Sequence, residues 1–413
     1  MASCDRDAPR PMAVGEMEIG DGVAVPASPV VLAFSRVYEE AEVLLRCGGV
    51  PVGVVRTRLR DGQVQQHDLD EAMAVHPDLR QRIRRERARA WLLQSQPPRP
   101  LPKLTWSLIV CTRDRAAELQ HCLDALMRAD GIERGEVIIV DNAPSDDRTR
   151  ELVARYPFRY VRTPRAGLNH ARAVGADAAK GDVLLYTDDD AIVDRGWIHA
   201  LLRRFDSYRV GAVTGPTMPS ELATAAQHLF HAGGGHVRGF EELRCDRNTL
   251  PPAAAGRLGH GANMAFRRDL VCGLRLFDAE LDGGTLARSG GDTYALYRVL
   301  AAGRVIRYTP AALVWHRDRR ELAALRDMLY GYSVGVFAVL TRALIEHRDA
   351  DAVGVGLSWL LHHHARQTLR CVLRRPGSGP LRMLAAEWLG VAAGPATYWR
   401  TRRIERSRGE VPA

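Results

Sequence analysis

Between Ser107 and Thr187 the chain alternates short apolar runs with longer amphipathic ones, and this alternation limits the fold more than any other feature of the sequence. Ser107–Cys111, Glu136–Val140, Phe158–Arg162 and Val183–Thr187 read as strands, with helices expected from about Ala116 to Met127, Arg148 to Arg155 and Asn169 to Ala179. A helix that returns the chain between consecutive strands makes those strands parallel, with both sheet faces covered. The predicted class is α/β. In such sheets ligands sit beyond the carboxyl ends of the strands. Every strand end here is polar: Thr112-Arg113-Asp114, Asp141-Asn142, Arg165-Ala166-Gly167, and Asp188-Asp189-Asp190.

The last of these is the most demanding chemically. Three adjacent carboxylates repel one another, and a fold keeps them together when a divalent cation or a group of donors offsets their charge. A solvated acidic turn is the plainer reading of the triplet alone, as an Asx turn is of Asp141-Asn142. Four polar tips on one sheet edge favour a site over four separate turns.

Composition narrows the setting. The net charge of +9 would suit a nucleic-acid partner, yet the basic residues are spread along the chain and only Lys103 and Lys180 are lysines. No nucleic-acid-binding motif accompanies them, so no nucleic acid is expected. Seven cysteines without a Cys-x-x-Cys pair point to neither a disulfide framework nor a zinc ribbon, and a reducing cytosol is expected. The first residues lack the apolar core of a secretory signal.

Three regions follow from the pattern. Residues 1–100 are expected to start disordered and then form a small α+β unit, with strands Ala41–Leu45 and Val50–Arg56 across a Cys47-Gly48-Gly49 turn and a helix after them. The proline-rich stretch Gln96–Pro102 reads as an extended linker and sets the boundary of a domain over 101–320. Within it, Gly233–Gly259 is Gly- and Pro-rich without period and reads as a mobile loop over the site. Residues 321–413 form a helical extension. Its apolar stretches, Met328–Thr341, Ala352–Leu361 and Trp388–Trp399, each fall short of the roughly 20 residues a bilayer span needs. Their aromatic residues and arginines suit helices lying on a membrane surface, or equally a cap on the central domain. A cytoplasmic location is expected, at most peripheral on the inner face of the cell membrane. His362-His363-His364 is a poor metal site, because neighbours on a helix point in different directions.

Seven runs, in order, carry a family resemblance: Leu108–Arg115, Val137–Asp147, Gly167–Arg172, Tyr186–Asp190, Gly261–Arg267, Gly290–Thr293 and Ala312–His316. Together they resemble the nucleotide-sugar half of family 2 glycosyltransferases over about residues 103–320. The resemblance implies a GT-A (Rossmann-like) nucleotide-sugar-binding domain between the N-terminal region and the helical extension. It implies a metal-dependent, inverting glycosyltransferase that moves a sugar from a nucleoside diphosphate sugar, expected to be UDP-linked, to a hydroxyl on a glycan, lipid-linked or small-molecule acceptor. A Mn2+ or Mg2+ ion bridging the diphosphate would make it a competent leaving group.

By the same resemblance Asp190 binds the metal, Asp188 lies nearer the ribose or a metal-bound water, Asp189 adjoins the donor, and His316 is a further metal ligand. Asp141 accepts the imino hydrogen of a uracil-like base, Cys111, Thr112 and Arg113 surround the nucleoside, and Arg165 and Arg172 approach the diphosphate. Asp292 is the base that takes the acceptor proton. The family usually shows Glu-Asp there, and Gly291 replaces the glutamate. Plainer roles exist for several of these: a surface position for Arg172, a helix N-cap for Asp292, a structural histidine at 316 and a small buried thiol at Cys111. Two other functions fit the same fold. One is a non-catalytic binding or scaffold protein. The other is a sugar-phosphate nucleotidyltransferase, which needs an early Gly-rich loop that Thr112–Arg115 lacks.

Overall fold

The computed structural model describes residues 10–19, 38–93, 100–281, 285–373 and 380–407. An N-terminal sheet comes first: β1 (Ala13–Glu18), β2 (Glu40–Cys47), β3 (Val50–Arg60) and β4 (Gln63–Val64), in that spatial order. β2 and β3 form the hairpin across Cys47-Gly48-Gly49, with Gly48 and Gly49 both at positive φ. A strand at Ala13–Glu18 departs from the disordered start expected there. Six residues carry too little pattern to read alone, and the parallel ladder to β2 supplies what they lack. Leu69, Leu79 and Ile83 from the helices Gln66–Ala74 and Pro77–Leu93 complete the core of this unit. Most of the expected linker, residues 96–99, lies outside the described residues.

The remaining strands are β5 (Trp106–Thr112), β6 (Glu136–Asn142), β7 (Arg159–Thr163), β8 (Val183–Asp188), β9 (Ala191–Val193), β10 (Val210–Thr214), β11 (Thr217–Pro219), β12 (Leu243–Cys245), β13 (Met264–Arg267), β14 (Val305–Tyr308) and β15 (Val314–His316). Eight of them build the central sheet in the order β12-β14-β10-β13-β8-β5-β6-β7. The β8-β5-β6-β7 portion is all parallel, as the alternation predicts. β13 runs antiparallel to both of its neighbours, so the sheet as a whole is mixed. Successive residues of β5 face opposite sides: Leu108 and Val110 pack with Leu119, Leu123 and Trp197, while Ile109 packs with Ala171, Tyr294 and Leu296. The chain leaves β5 for β6 and β7 on one side and returns to β8 on the other. That switch opens the crevice at the carboxyl ends of β5 and β8.

The C-terminal helices belong to the same core. Ala338, Val339, Ala343, Ala352 and Tyr398 share one apolar cluster with Ile109, Tyr186 and Tyr294. The helix Leu322–Glu346 runs well beyond the expected Met328–Thr341. Among the described residues it is the one helix long and apolar enough to cross a membrane, and half of its apolar window is buried inside the protein. The helix Leu381–Ser407 crosses it at close range: a Cβ on Gly390 would lie 2.5 Å from the Tyr330 carbonyl oxygen. Between them the chain passes through a π-helical turn at Trp359–Ala365.

Candidate functional site

Strand register assembles the acidic centre. β8 ends at Asp188, the chain turns through Asp189 and Asp190, and β9 begins at Ala191. β9 pairs antiparallel with β15 in a register that sets His316 opposite Ala191. One ring nitrogen of His316 therefore lies 3.1 Å from Asp190 Oδ1, and the other 3.1 Å from Asp318 Oδ1. Asp188, Asp190 and His316 each present one ligand atom, all within 4.8 Å of one another.

Basic side chains balance the triplet. Arg115 donates to Asp189 Oδ1 at 2.7 Å and to Asp190 Oδ2 at 2.8 Å. Thr112 Oγ1 donates to the other oxygen of Asp189 at 2.7 Å. Arg172, nearly buried, reaches Asp188 Oδ1 at 3.4 Å. Burial pushes Asp189 up to about 7 despite Arg115, and raises Asp188 against the pull of Arg172. Burial acts the same way on Asp190, but His316 and Arg115 outweigh it and hold that carboxyl well below the usual range. Burial would lower His316, yet its hydrogen bonds to Asp190 and Asp318 carry it up to about 10.

Asp292 stands in the first turn of the helix Gly291–Ala301, whose N-cap is Gly290. One of its oxygens accepts the Gly261 N–H at 2.8 Å and the other the Thr293 N–H at 2.7 Å. Its carboxylate thus ties the helix to the loop before β13 rather than serving as the N-cap. Two glycines make room here. A Cβ on Gly261 would lie 2.4 Å from Arg172 Nη2, and one on Gly291 would lie 2.1 Å from Asn169 Nδ2. Asn169 donates to the carbonyls of Asp278 and Leu281, so it fills the space beside Asp292 that a larger residue at 291 would need.

A cavity of about 1490 Å³ joins these groups, lined by Cys111, Thr112, Arg113, Arg172, Asp188, Asp189, Asp190, Asp292 and His316. Asp141 pairs with Thr112 in strand register but is not on the cavity wall. It is fully buried, accepts the Tyr160 hydroxyl at 2.7 Å, and keeps Oδ1 without a hydrogen bond. Burial raises its pKa. Arg165, expected to approach the diphosphate, is placed apart from these groups. Its guanidinium turns to Glu405 of the last helix at 2.6 Å and does not line the cavity, because that helix buries a carboxylate beside it.

Residues 107–272 match the protein family described as Glycosyl transferase family 2. That stretch is therefore similar to family 2 glycosyltransferases. Its central sheet, with the switch at β5 and β8, is of the α/β class expected from the alternation. Among curated relatives, the succinoglycan biosynthesis protein ExoM of Rhizobium meliloti is 32% identical over 50% of this chain and 64% of its own length. The probable polypeptide N-acetylgalactosaminyltransferase 8 of Homo sapiens is 24% identical over 63% of this chain and 43% of its own. The match thus spans less than two thirds of either relative. The solved mannosyltransferase PcManGT from Pyrobaculum calidifontis, in complex with GDP-Man and Mn2+, is 18% identical with a TM-score of 0.43, covering 79% of this chain and 82% of that one.

Other residues of the site escape sequence reading. Arg115 closes the Leu108–Arg115 run, and a cation one turn from the triplet's strand edge is a usable signal. His236 and His260 give none. His236 lies in the Gly233–Gly259 segment and His260 just after it; both line the cavity and stack with ring centroids 4.1 Å apart, and His236 also approaches His316 at 5.5 Å. His236, His316 and Asp318 form a second cluster with ligand atoms within 4.8 Å. In the π-helical turn His363 and His364 approach Glu387, whereas His362 turns back to the Ser358 carbonyl.

Proposed function

We propose that this chain transfers a glycosyl group from a UDP-linked sugar to an acceptor hydroxyl, with inversion at the anomeric carbon and with Mn2+ or Mg2+ as cofactor. The observation that carries this reading is the convergence of Asp188, Asp190 and His316 on the cavity wall that also holds Asp292. Two carboxylates and an imidazole are a fitting donor set for such a cation, Mn2+ accepting the nitrogen ligand more readily. When bound, the ion would neutralise the departing diphosphate.

The chain's own groups account for the remaining needs. Arg115 and Thr112 orient the turn that carries the ligands, since they hold both oxygens of Asp189 and one of Asp190. Arg172 lines the cavity beside Asp188, where a second cation would meet the diphosphate. Cys111, Thr112 and Arg113 form the wall against the nucleoside. Asp292 takes the acceptor proton. Its two backbone hydrogen bonds fix the carboxylate's orientation, which proton transfer at a defined atom requires.

The test is release of nucleoside diphosphate from a panel of nucleotide sugars with Mn2+ or Mg2+. Asp190→Ala is expected to lose metal-dependent donor binding. Asp292→Asn is expected to keep donor binding while its turnover falls by at least about a hundredfold, the usual worth of a positioned base. Undiminished turnover in both variants would sink the proposal.

A further inference from the structure

Taking the transfer reaction proposed above, we infer that the acceptor bears an apolar tail, which lies in a chamber walled by the C-terminal helices. The cavity that holds Asp188, Asp190 and Asp292 does not end at them. It continues between the helices Leu322–Glu346, Asp351–Ser358 and Leu381–Ser407 and the turn Trp359–Ala365, where the apolar Met328, Val336, Val355, Trp359 and Leu384 line it beside the polar His363 and Glu387. All five apolar side chains are half-buried. Tyr332 lines the junction, close enough to Asp292, Asp188 and Asp318 to feel their charge.

The nucleotide end and the helical end differ in chemistry. A nucleoside diphosphate sugar is polar throughout and belongs with the arginines and carboxylates around β5 and β8. A polar acceptor would leave the apolar wall beyond Asp292 against water, at a cost proportional to its area. A hydrocarbon chain satisfies that wall and leaves its polar head at Asp292. The outer surface of this C-terminal region, including the segments Trp359–Ala365 and Arg366–Val372, supports this choice. Leu361, Leu369, Leu381 and Leu389 are large apolar side chains more than half exposed, as suits helices that receive a substrate from a lipid surface.

Calorimetry with methyl β-glucoside and n-alkyl β-glucosides below their micellar concentrations tests the chamber on the full chain. Affinity is expected to rise severalfold for each pair of methylenes added, because each buried methylene contributes separately. Val336→Trp and Leu384→Trp, which fill the chamber, are expected to weaken binding of the longest chain by about tenfold or more. Binding of UDP with Mn2+ stays unchanged in both variants and reports that they are folded, and the milder Val336→Phe serves if either is not. Leu361→Ser, on the outer surface, leaves chain binding intact. Affinity independent of chain length overturns the inference. So does chain binding that survives both tryptophans and disappears with Leu361→Ser, the mark of surface adsorption. Failure of every nucleotide sugar to turn over would instead overturn the transferase reading and leave chain-dependent binding standing.

Discussion

The residue that most separates this chain from its family's pattern is Gly291. The family's usual glutamate has no room here, because a Cβ would lie 2.1 Å, 2.3 Å and 2.6 Å from the Nδ2, Oδ1 and Cγ atoms of Asn169. Asn169 in turn cannot move without abandoning the carbonyls of Asp278 and Leu281. Gly291→Glu is therefore expected to destabilise the protein by about 1–3 kcal/mol or more, the range for overpacking a filled site. Thermal unfolding measures it, and an unchanged midpoint would show that Asn169 yields easily. Legibility differs from residue to residue in the same centre. The triplet can be read because its acidity breaks an apolar run, and Asp292 because it opens a helical one. The ion pair of Arg165 cannot be read, because its carboxylate partner, Glu405, arrives from a distant part of the chain.

At the scale of elements, the parallel half of the sheet is legible and the N-terminal unit's task is not. Strand alternation is a local property, whereas the docking of one sheet on another is written in residues far apart. Leu44 of β2 is fully buried, with Met218 of β11, Leu313 and the indole of Trp315 in β15 around it. Arg46, two residues on, bridges Glu16 of β1 and Asp194 just after β9, and His231 meets Glu42 at 2.8 Å. The N-terminal sheet thus braces the two short strands that carry Asp190 and His316 together. Leu44→Ala should cost about 2–5 kcal/mol, as large-to-small changes at closed sites do. Metal affinity, read by titrating Mn2+ against the folded variant, should fall with it. Loss of stability with intact metal affinity would assign the N-terminal sheet a purely structural role.

Across the whole molecule, one buried ionic cluster locks the C-terminal helices to the domain that carries the central sheet. Arg342 pairs with Asp278 at 2.8 Å, Glu346 at 2.8 Å and Glu280 at 3.4 Å, while Tyr398 and Arg402 of the last helix bind Glu346 at 2.6 Å and 2.8 Å. Glu280 is the weak member, 1% exposed with neither oxygen hydrogen-bonded. Burial pushes it up to about 7, despite Arg342. Between its unfolded value and about 7 the folded chain holds a proton that the unfolded chain has released, so this group makes stability fall as pH rises through that window. Glu280→Gln removes the effect. Relative to the parent, its melting temperature should improve steadily from about pH 5 to about pH 8, and a difference that stays flat would refute the assignment. None of this is legible in sequence. The periodicity of the Leu322–Glu346 helix is weak because apolar residues surround it, and the partners that bury it come from residues 278–294 and 398–402.

The pairing of β9 with β15 also bears on how the protein is made. As the chain leaves the ribosome, Asp188, Asp189 and Asp190 emerge with Arg115 and Arg172 already behind them, so their repulsion has partners from the outset. His316 emerges only after β10, β13 and β14 have been synthesised, and it reaches Asp190 once β15 has docked. A nascent chain that stops short of β15 has the carboxylates and no imidazole. A centre built from all three groups is thus complete only once the sheet is, and a half-made chain has no finished cluster with which to hold a cation.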